Sequence, residues 1–424
     1  MRLLYLMTYA GPEKAASNYL GKNRNDAFLK EGWQIELYAP TPSRGLSPLE
    51  IKKYRRSEFR DYWVMGGMHV HKFLLCREGK SPVARFFRYL ICSVKQFNRG
   101  IFASDARSCD VLFTNSTPPL QGVVAALVKK VRHIPFVYNL QDIFPDSLVG
   151  TGLAKKGGFL WRVGRMIENF TYRNADKIIV ISEDFKKNIM AKGVPEDKIV
   201  VIYNWVDEQA VVDVPRSENK LFDKYSLDRS KFYITYCGNI GLTQNMDMLL
   251  DIMDDFQTEA PQVQLVLVGD GAYRTTVEQR IGGVPCEDGS IRGTSLPNVV
   301  ILPFQPYEDI SQVFSLGDAG LVISKPGVGE NSVPSKTWSI MSASRPVLAS
   351  FDENEIKDII NENCCGIFTK AGNFDAFKNS ILELYHSPEK CRTFGRCGRQ
   401  FVMDNLTKEV GTSKYVEVIK GFEK

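Results

Sequence analysis

Short apolar runs rich in β-branched and aromatic residues alternate along the chain with longer amphipathic stretches, a pattern that predicts parallel β-α units. In the first half the predicted strands are Leu3–Thr8, Trp33–Ala39, His69–Leu74, Val111–Thr114, Phe136–Asn139, Lys177–Ile181 and Ile199–Tyr203. They lack polar alternation, as strands covered by helices on both faces do. Ser182–Met190 reads as a helix with Ser182 as its cap and a carboxylate in the first turn. A polar stretch from Asp207 to Lys231 separates this series from a second one: Phe232–Cys237, Gln264–Val268, Val299–Leu302, Gly320–Ile323, Pro346–Ala349 and Gly366–Phe368. Helical patterns such as Met246–Phe256 and Ile310–Leu316 follow its strands. The reading is α/β, two doubly wound domains over residues 1–206 and 207–424. They are expected to face each other across a cleft, where strand carboxyl ends and helix N-termini gather a ligand.

Composition adds one fact that the pattern does not contain. The chain has 424 residues, 24% charged and 44% apolar, the mix of a globular protein and not of a disordered, collagenous or coiled-coil one. Its formal charge of +5 hides an asymmetry. Residues 1–200 hold 32 Lys/Arg against 18 Asp/Glu, whereas the rest hold 22 against 31, so the halves face different partners. The nine cysteines form no Cys-x-x-Cys pair, which argues against a disulfide framework or a zinc ribbon. The N-terminal apolar stretch is too short for a good signal peptide, and no run approaches the roughly 20 residues of a spanning helix. The expectation is a cytoplasmic protein that touches a membrane without crossing it.

The segment Arg85–Phe102 carries that expectation. It mixes Arg85, Arg88, Lys95 and Arg99 with Phe86, Phe87, Leu90, Ile91, Val94 and Phe97, and as a helix it would be basic and amphipathic, fit for an anionic leaflet. The competing reading is a domain helix with its apolar face in the core. No nucleic-acid motif accompanies the basic half, so no nucleic-acid partner is expected. His69 and His71 flank Val70 and project from one face of a strand. With no third ligand near them in the sequence, they read as surface strand residues and not as a metal site.

Candidate chemistry concentrates in the second half. Gly238-Asn239-Ile240-Gly241 and Gly269-Asp270-Gly271 each follow a predicted strand, where glycine lets backbone approach an anion. Each alone reads more readily as a plain strand-to-helix turn, and neither has the glycine spacing of a dinucleotide site. Ser324–Pro346 is a Gly/Pro-rich loop that enters a helix near Pro334-Ser335-Lys336. A hydroxyl, free N–H groups and the charges of Lys336 and Lys325 there suit a diphosphate.

The ordered set FYITYCGNIG, LVLVGDG, LPNVVILPFQPYEDI, GDAGLVIS and VPSKTWSIMSASRPV resembles the donor half of retaining GT-B glycosyltransferases of family 4. FVYNLQDIFPDS and NADKIIVISEDFKKNIMAKGVPEDKIVVIYNWVD resemble that family's acceptor half and crossover. Within the family the chain looks most like the L-fucosamine transferase branch of O-antigen and capsule synthesis. The resemblance implies a GT-B fold of two Rossmann-like domains, with a last helix near 413–422 crossing back to the first. It also implies transfer of a sugar from a nucleotide-sugar donor, a UDP-linked N-acetylated sugar such as L-FucNAc, to a polyprenyl-diphosphate-linked glycan, at the inner face of the cytoplasmic membrane. Donor contacts fall on Gly238, Asn239, Gly241, Gly269, Asp270, Gly271, Arg274, Phe304, Gln305, Tyr307, Lys325, Pro334, Ser335, Lys336 and Ser339. Acceptor contacts fall on Gly11, Lys14, Asn115, Ser116 and Thr117. Asp142 would orient or deprotonate the acceptor hydroxyl, or else is an Asp-x-x-Pro turn, and Lys336 would steady the leaving diphosphate.

The chain departs from the family where relatives carry Arg and Lys on the donor loop, for here these are Asn239 and Gln244. Lys325, Lys336 or Arg274 would take their place. The family's paired Glu falls on Asn331 and Ser339, which brings neighbouring Glu330 into the catalytic set with Asp142 and Lys336. No Asp-x-Asp motif is present, so neither metal nor other cofactor is expected in the reaction. The alternatives are a nucleotide-sugar 2-epimerase of the same architecture and a catalytically silent nucleotide-sugar-binding protein.

Overall fold

The computed structural model describes residues 1–11, 18–64, 66–78, 81–150, 154–330 and 332–423. The chain divides into two compact units, Met1–Asn204 with Gly411–Lys424, and Trp205–Val410. Each is built on one eight-stranded sheet.

In the first unit the strands are β1 (Arg2–Leu6), β2 (Gln34–Pro40), β3 (Asp61–Val64), β4 (Met68–Phe73), β5 (Val111–Asn115), β6 (Phe136–Leu140), β7 (Lys177–Val180) and β8 (Ile199–Val201). They lie in the order β3-β4-β2-β1-β5-β6-β7-β8, all parallel except β3 against β4. In the second unit β9 (Phe232–Cys237), β10 (Val263–Val268), β11 (Gly283–Pro285), β12 (Ile291–Gly293), β13 (Val299–Leu302), β14 (Ala319–Ile323), β15 (Val347–Phe351) and β16 (Gly366–Lys370) lie in the order β11-β12-β13-β10-β9-β14-β15-β16. Here β11 and β12 are the antiparallel members. The strand order therefore reverses direction between β1 and β5 in one sheet and between β9 and β14 in the other. In an open parallel sheet, these reversals open crevices at the strand carboxyl ends.

Burial explains why the parallel strands read as apolar runs. Every residue of β6, β14 and β15 is buried. In the second unit Ile234, Tyr236, Leu265, Leu267 and Leu321 pack against Leu249, Ile252, Met253 and Phe256 of the helix Met246–Glu259. Each such side chain contributes roughly 1.5–3 kcal/mol by leaving water. In the first unit Leu4, Leu112, Phe136 and Tyr138 meet Val124, Ala125 and Val128 of the helix Leu120–Arg132. Ser182 caps the helix Glu183–Ala191, its Oγ accepting from the Phe185 amide at 3.0 Å. The last helix, Lys408–Lys420, begins in the second unit and ends in the first, where the Tyr415 hydroxyl donates to Asn139 Oδ1 at 2.9 Å.

The helix Pro82–Phe102 differs from both sequence readings of it. Arg88 is 1% exposed and donates to the Cys76 carbonyl, and Arg99 pairs with Asp105, so these two cations face the body of the unit. Phe86 and Phe87 are 55% and 56% exposed, with Leu90, Ile91 and Val94 also in solvent. These apolar residues point outward, while Phe97 and Ile101 pack against the core of the unit, so the core-helix reading holds for that side of the helix only. Among the described residues no helix is long and apolar enough to cross a membrane.

Candidate functional site

The donor-side candidates gather at the carboxyl edge of the second sheet, after β9, β10, β13 and β14. The loops after β9 and β10 touch backbone to backbone. Gly238 donates its amide to Val268 O at 2.9 Å, and Ile240 donates to Asp270 O at 2.9 Å. A Cβ on Gly269 would collide with the Gly238 carbonyl, and one on Gly271 with that of Ile240. Gly238 and Gly269 also hold φ of +135° and +155°, where side chains are strained. These glycines let two loops close into one surface. Asn239 lies between them, close to the space where Cβ atoms of Gly241 and Gly271 would sit, while Gln244 Oε1 accepts from the Gly241 amide at 3.0 Å.

Lys336 reaches this surface from the other side of the reversal. It opens the seven-residue helix Lys336–Ser342, which sits close on β14 because Gly320 has no Cβ where the side chain of Ile340 lies. Its Nζ lies 3.8 Å from the centre of the Tyr236 ring and 3.4 Å from where a Gly238 Cβ would be. Burial pulls the ammonium down to a pKa of about 8, partly offset by Cys237. The same burial pushes the Cys237 thiol up to about 12. Lys336 is thus a half-buried ammonium with an aromatic face beneath it and reduced access to water.

The other candidates divide. Lys325 donates its amide to Thr243 O at 2.8 Å and holds its Nζ 5.6 Å from the centre of the Tyr273 ring. Arg274 is already engaged, donating to Gly269 O at 2.8 Å and to Glu278 at 2.7 Å, so it braces the glycine loop. Pro334 is half-buried, and Ser335, at the cap position, is exposed and makes no side-chain cap bond. Ser339 is half-buried one turn on. Glu330 is exposed at the end of a loop that Asp352 clamps by accepting from the amides of Gly327 and Gly329 at 3.0 and 2.6 Å. Asn331 lies outside the described residues. Phe304 is 82% exposed, and Tyr307 donates to Asp207 at 3.2 Å. Gln305 is not free to meet a ligand through its side chain, for its buried amide is bonded to Tyr225, Lys224 and Pro303.

The acceptor-side candidates follow β1, β5 and β6, at the reversal of the first sheet. The Gly11 carbonyl accepts from Lys72 Nζ at 2.6 Å, and Lys14 lies outside the described residues. Asn115 Oδ1 accepts from Asn139 Nδ2 at 2.9 Å, the Ser116 hydroxyl accepts from the Gln141 amide at 3.0 Å, and Thr117 is exposed. Asp142 is an exposed residue just past β6. Protein crowding one side of its carboxyl pushes the pKa up, and a 3.2 Å hydrogen bond from Ser147 pulls it back.

Sequence reasoning missed Tyr236, Asp352 and the amide network of Asn139, Gln141, Asn204 and Tyr415. Tyr236 had a readable signal, an aromatic two residues before a strand-ending glycine. The network had none, because its members meet only through the sheet and the last helix. The two histidines also need correcting. His71 is buried, and Glu36 on β2 and Asp105 bring carboxylates to both rings, supplying the third and fourth ligand-type groups that the linear sequence did not show.

The sequence pattern of the Glycosyl transferase 4-like domain matches residues 26–205, and that of the Glycosyl transferases group 1 matches residues 217–401. The chain is 27% identical to the probable glycosyltransferase WbjE of Pseudomonas aeruginosa over 339 residues, 80% of each chain. It is 27% identical to the putative colanic acid biosynthesis glycosyl transferase WcaI of Escherichia coli K12 over 223 residues, 51% of each. Among solved structures it is similar to Anabaena Alr3699/HepE in complex with UDP, with a TM-score of 0.71, 17% identity, and coverage of 99% of this chain and 100% of that one.

Proposed function

This chain belongs to family 4 of the GT-B glycosyltransferases, and on that footing we propose that it transfers a sugar with retention from a UDP-linked donor. The proposed donor is an N-acetylated sugar such as L-FucNAc, and the acceptor a polyprenyl-diphosphate-linked glycan of O-antigen or capsular polysaccharide synthesis. The observation that carries the donor half is Lys336 Nζ, desolvated over Tyr236 beside the paired glycine loops. HepE, of the same fold, has been solved in complex with UDP, and WcaI is named for colanic acid biosynthesis.

In this reading the sugar–phosphate bond breaks as negative charge builds on the diphosphate and positive charge on the sugar. Interactions that strengthen with that charge accelerate the step. Lys336 supplies the opposing charge, Gly238–Gly241 and Gly269–Gly271 let the diphosphate reach backbone, and Glu330 stands by for the sugar. Asp142 orients the acceptor hydroxyl and, with its raised pKa, takes up or passes on the proton. The reaction uses no metal. The outward apolar face of Pro82–Phe102 supports docking on the anionic inner leaflet, where the lipid-linked acceptor resides.

The test is incubation of the protein with radiolabelled UDP-sugars and a lipid-linked acceptor. Label on the lipid, with the anomeric configuration of the donor kept, is the expected result. A sugar isomerised without acceptor would make the chain an epimerase, and tight binding without turnover would make it a silent binder.

A further inference from the structure

On the first sheet a second polar cluster stands among residues given no role in the transfer. Glu36 on β2 lies opposite His69 on β4, and His71 follows two residues on, so the three share one face of the sheet. Asp61 on β3 lies opposite His71, and Asp105 arrives from the helix Ser104–Arg107. Glu36 is 3% exposed and His71 8%.

Both nitrogens of both rings meet carboxylate oxygens. His69 Nδ1 is 3.2 Å from Glu36 Oε2, and its Nε2 is 2.7 Å from Asp61 Oδ1. His71 Nδ1 is 3.3 Å from Asp61 Oδ2, and its Nε2 is 3.3 Å from Glu36 Oε2 and 2.8 Å from Asp105 Oδ2. A neutral imidazole has one N–H, so each ring would turn a lone pair toward an anion. A cation shared between the two rings, whose centres are 3.9 Å apart, removes that conflict, and the guanidinium of Arg99 already stands at His71, its Nη2 3.3 Å from both nitrogens.

One divalent ion fits the place between the rings and the carboxylates. Zinc bonds of about 2.0–2.2 Å place tetrahedral ligand atoms about 3.3–3.6 Å apart. The ligand atoms of Glu36, His69, His71 and Asp105 all lie within 4.8 Å of one another, with the closest pairs at 2.8 to 3.3 Å. Asp61 touches the remaining nitrogen of each ring, as the outer carboxylate of a histidine-bound metal does when it fixes which nitrogen faces the ion. Arg99, paired with Asp105, and Arg2, 3.5 Å from Glu36, are the cations that an incoming ion must compete with.

We propose that Glu36, His69, His71 and Asp105 form a four-coordinate site for one zinc-class divalent metal ion, oriented by Asp61, which fastens β2, β4 and the helix Ser104–Arg107 together. The ion is structural and stands apart from the metal-free transfer reaction. The experiment titrates the full chain, stripped by chelator, with Co²⁺ and then Zn²⁺. One equivalent of Co²⁺ with the visible bands of four-coordination, displaced by Zn²⁺, and a higher melting temperature with Zn²⁺ are expected. His71→Ala should lose the bands. Asp61→Asn, at an exposed strand position, should keep the fold and weaken affinity by about 10–100-fold. Absence of a stoichiometric Co²⁺ or Zn²⁺ complex in the unmutated chain, or equal affinity in Asp61→Asn, would overturn the proposal. Loss of sugar transfer bears only on the transferase reading, since none of these readouts depends on it.

Discussion

The two sheets share a strand plan and differ in what they present where that plan reverses. β9 with neighbours β10 and β14 repeats the arrangement of β1 with β2 and β5. At the second reversal, side chains have been removed so that two glycine loops meet, and one desolvated lysine supplies the charge. At the first, uncharged groups interlock around Asn139, which bonds Asn115, Gln141 and the Tyr415 hydroxyl beside the exposed Asp142. In the proposed transfer, the glycine-lined edge would take the donor's diphosphate against backbone, and the other would hold a polar floor under the acceptor. The fold supplies the crevice in both, and the chemistry comes from the side chains.

The sharpest way to break the contrast is at the glycine surface. In Gly269→Ala the new methyl has no space against the Gly238 carbonyl, at a φ that side chains avoid. We expect UDP binding to disappear and stability to fall by about 3 kcal/mol, read by calorimetry and chemical denaturation. The conservative counterpart on the first sheet, Tyr415→Phe, removes one hydrogen bond to Asn139 and should cost about 1 kcal/mol without moving UDP affinity.

Lys336→Met separates binding from folding. Removing a charged hydrogen-bond donor should weaken UDP by about 10–100-fold, while the free protein gains on the order of 1–3 kcal/mol because a desolvated charge is gone. The sign follows from linkage. The folded pKa of about 8 lies below the ordinary 10.5, so the cost is full below pH 8 and fades as pH rises toward 10.5. Loss of UDP affinity without gain in stability would place Lys336 elsewhere in the ligand's shell.

How far the sequence reveals this contrast depends on burial. Among the described residues the thirteen parallel strands are legible in the sequence, most of them as apolar runs that burial explains, with β4 and its His69, His71 and Lys72 the exception. The three unread strands, β3, β11 and β12, are the antiparallel ones, short and either exposed or half-exposed, with Gly283, Pro285 and Gly293 in the latter two. At the site, the glycine turns and the Pro-Ser-Lys helix start are legible because each is local. The ring beneath Lys336, the amide network and the Glu36–His69–His71–Asp105 cluster are not, since each joins residues that only strand pairing or packing brings together. The helix Pro82–Phe102 shows the same limit. Its amphipathic spacing is plain, but which face turns to water depends on Arg88 being buried under Cys76 and Ser43.

The smallest effect concerns that helix. Arg85→Gln should reduce binding to anionic vesicles by about fivefold or less, on the order of 1 kcal/mol per surface charge, and replacing Phe87 with Ser should reduce binding to neutral ones as well. Unchanged sedimentation with vesicles in both variants would detach the helix from any leaflet.

The central claim is that a desolvated Lys336 beside paired glycine loops holds the donor's diphosphate. Calorimetric titration of UDP into the full chain between pH 6.5 and 9.5 tests it most directly. Affinity should fall as pH rises through about 8, and in Lys336→Met the profile should flatten at lower affinity. Equal affinity in the two proteins across that range would contradict it.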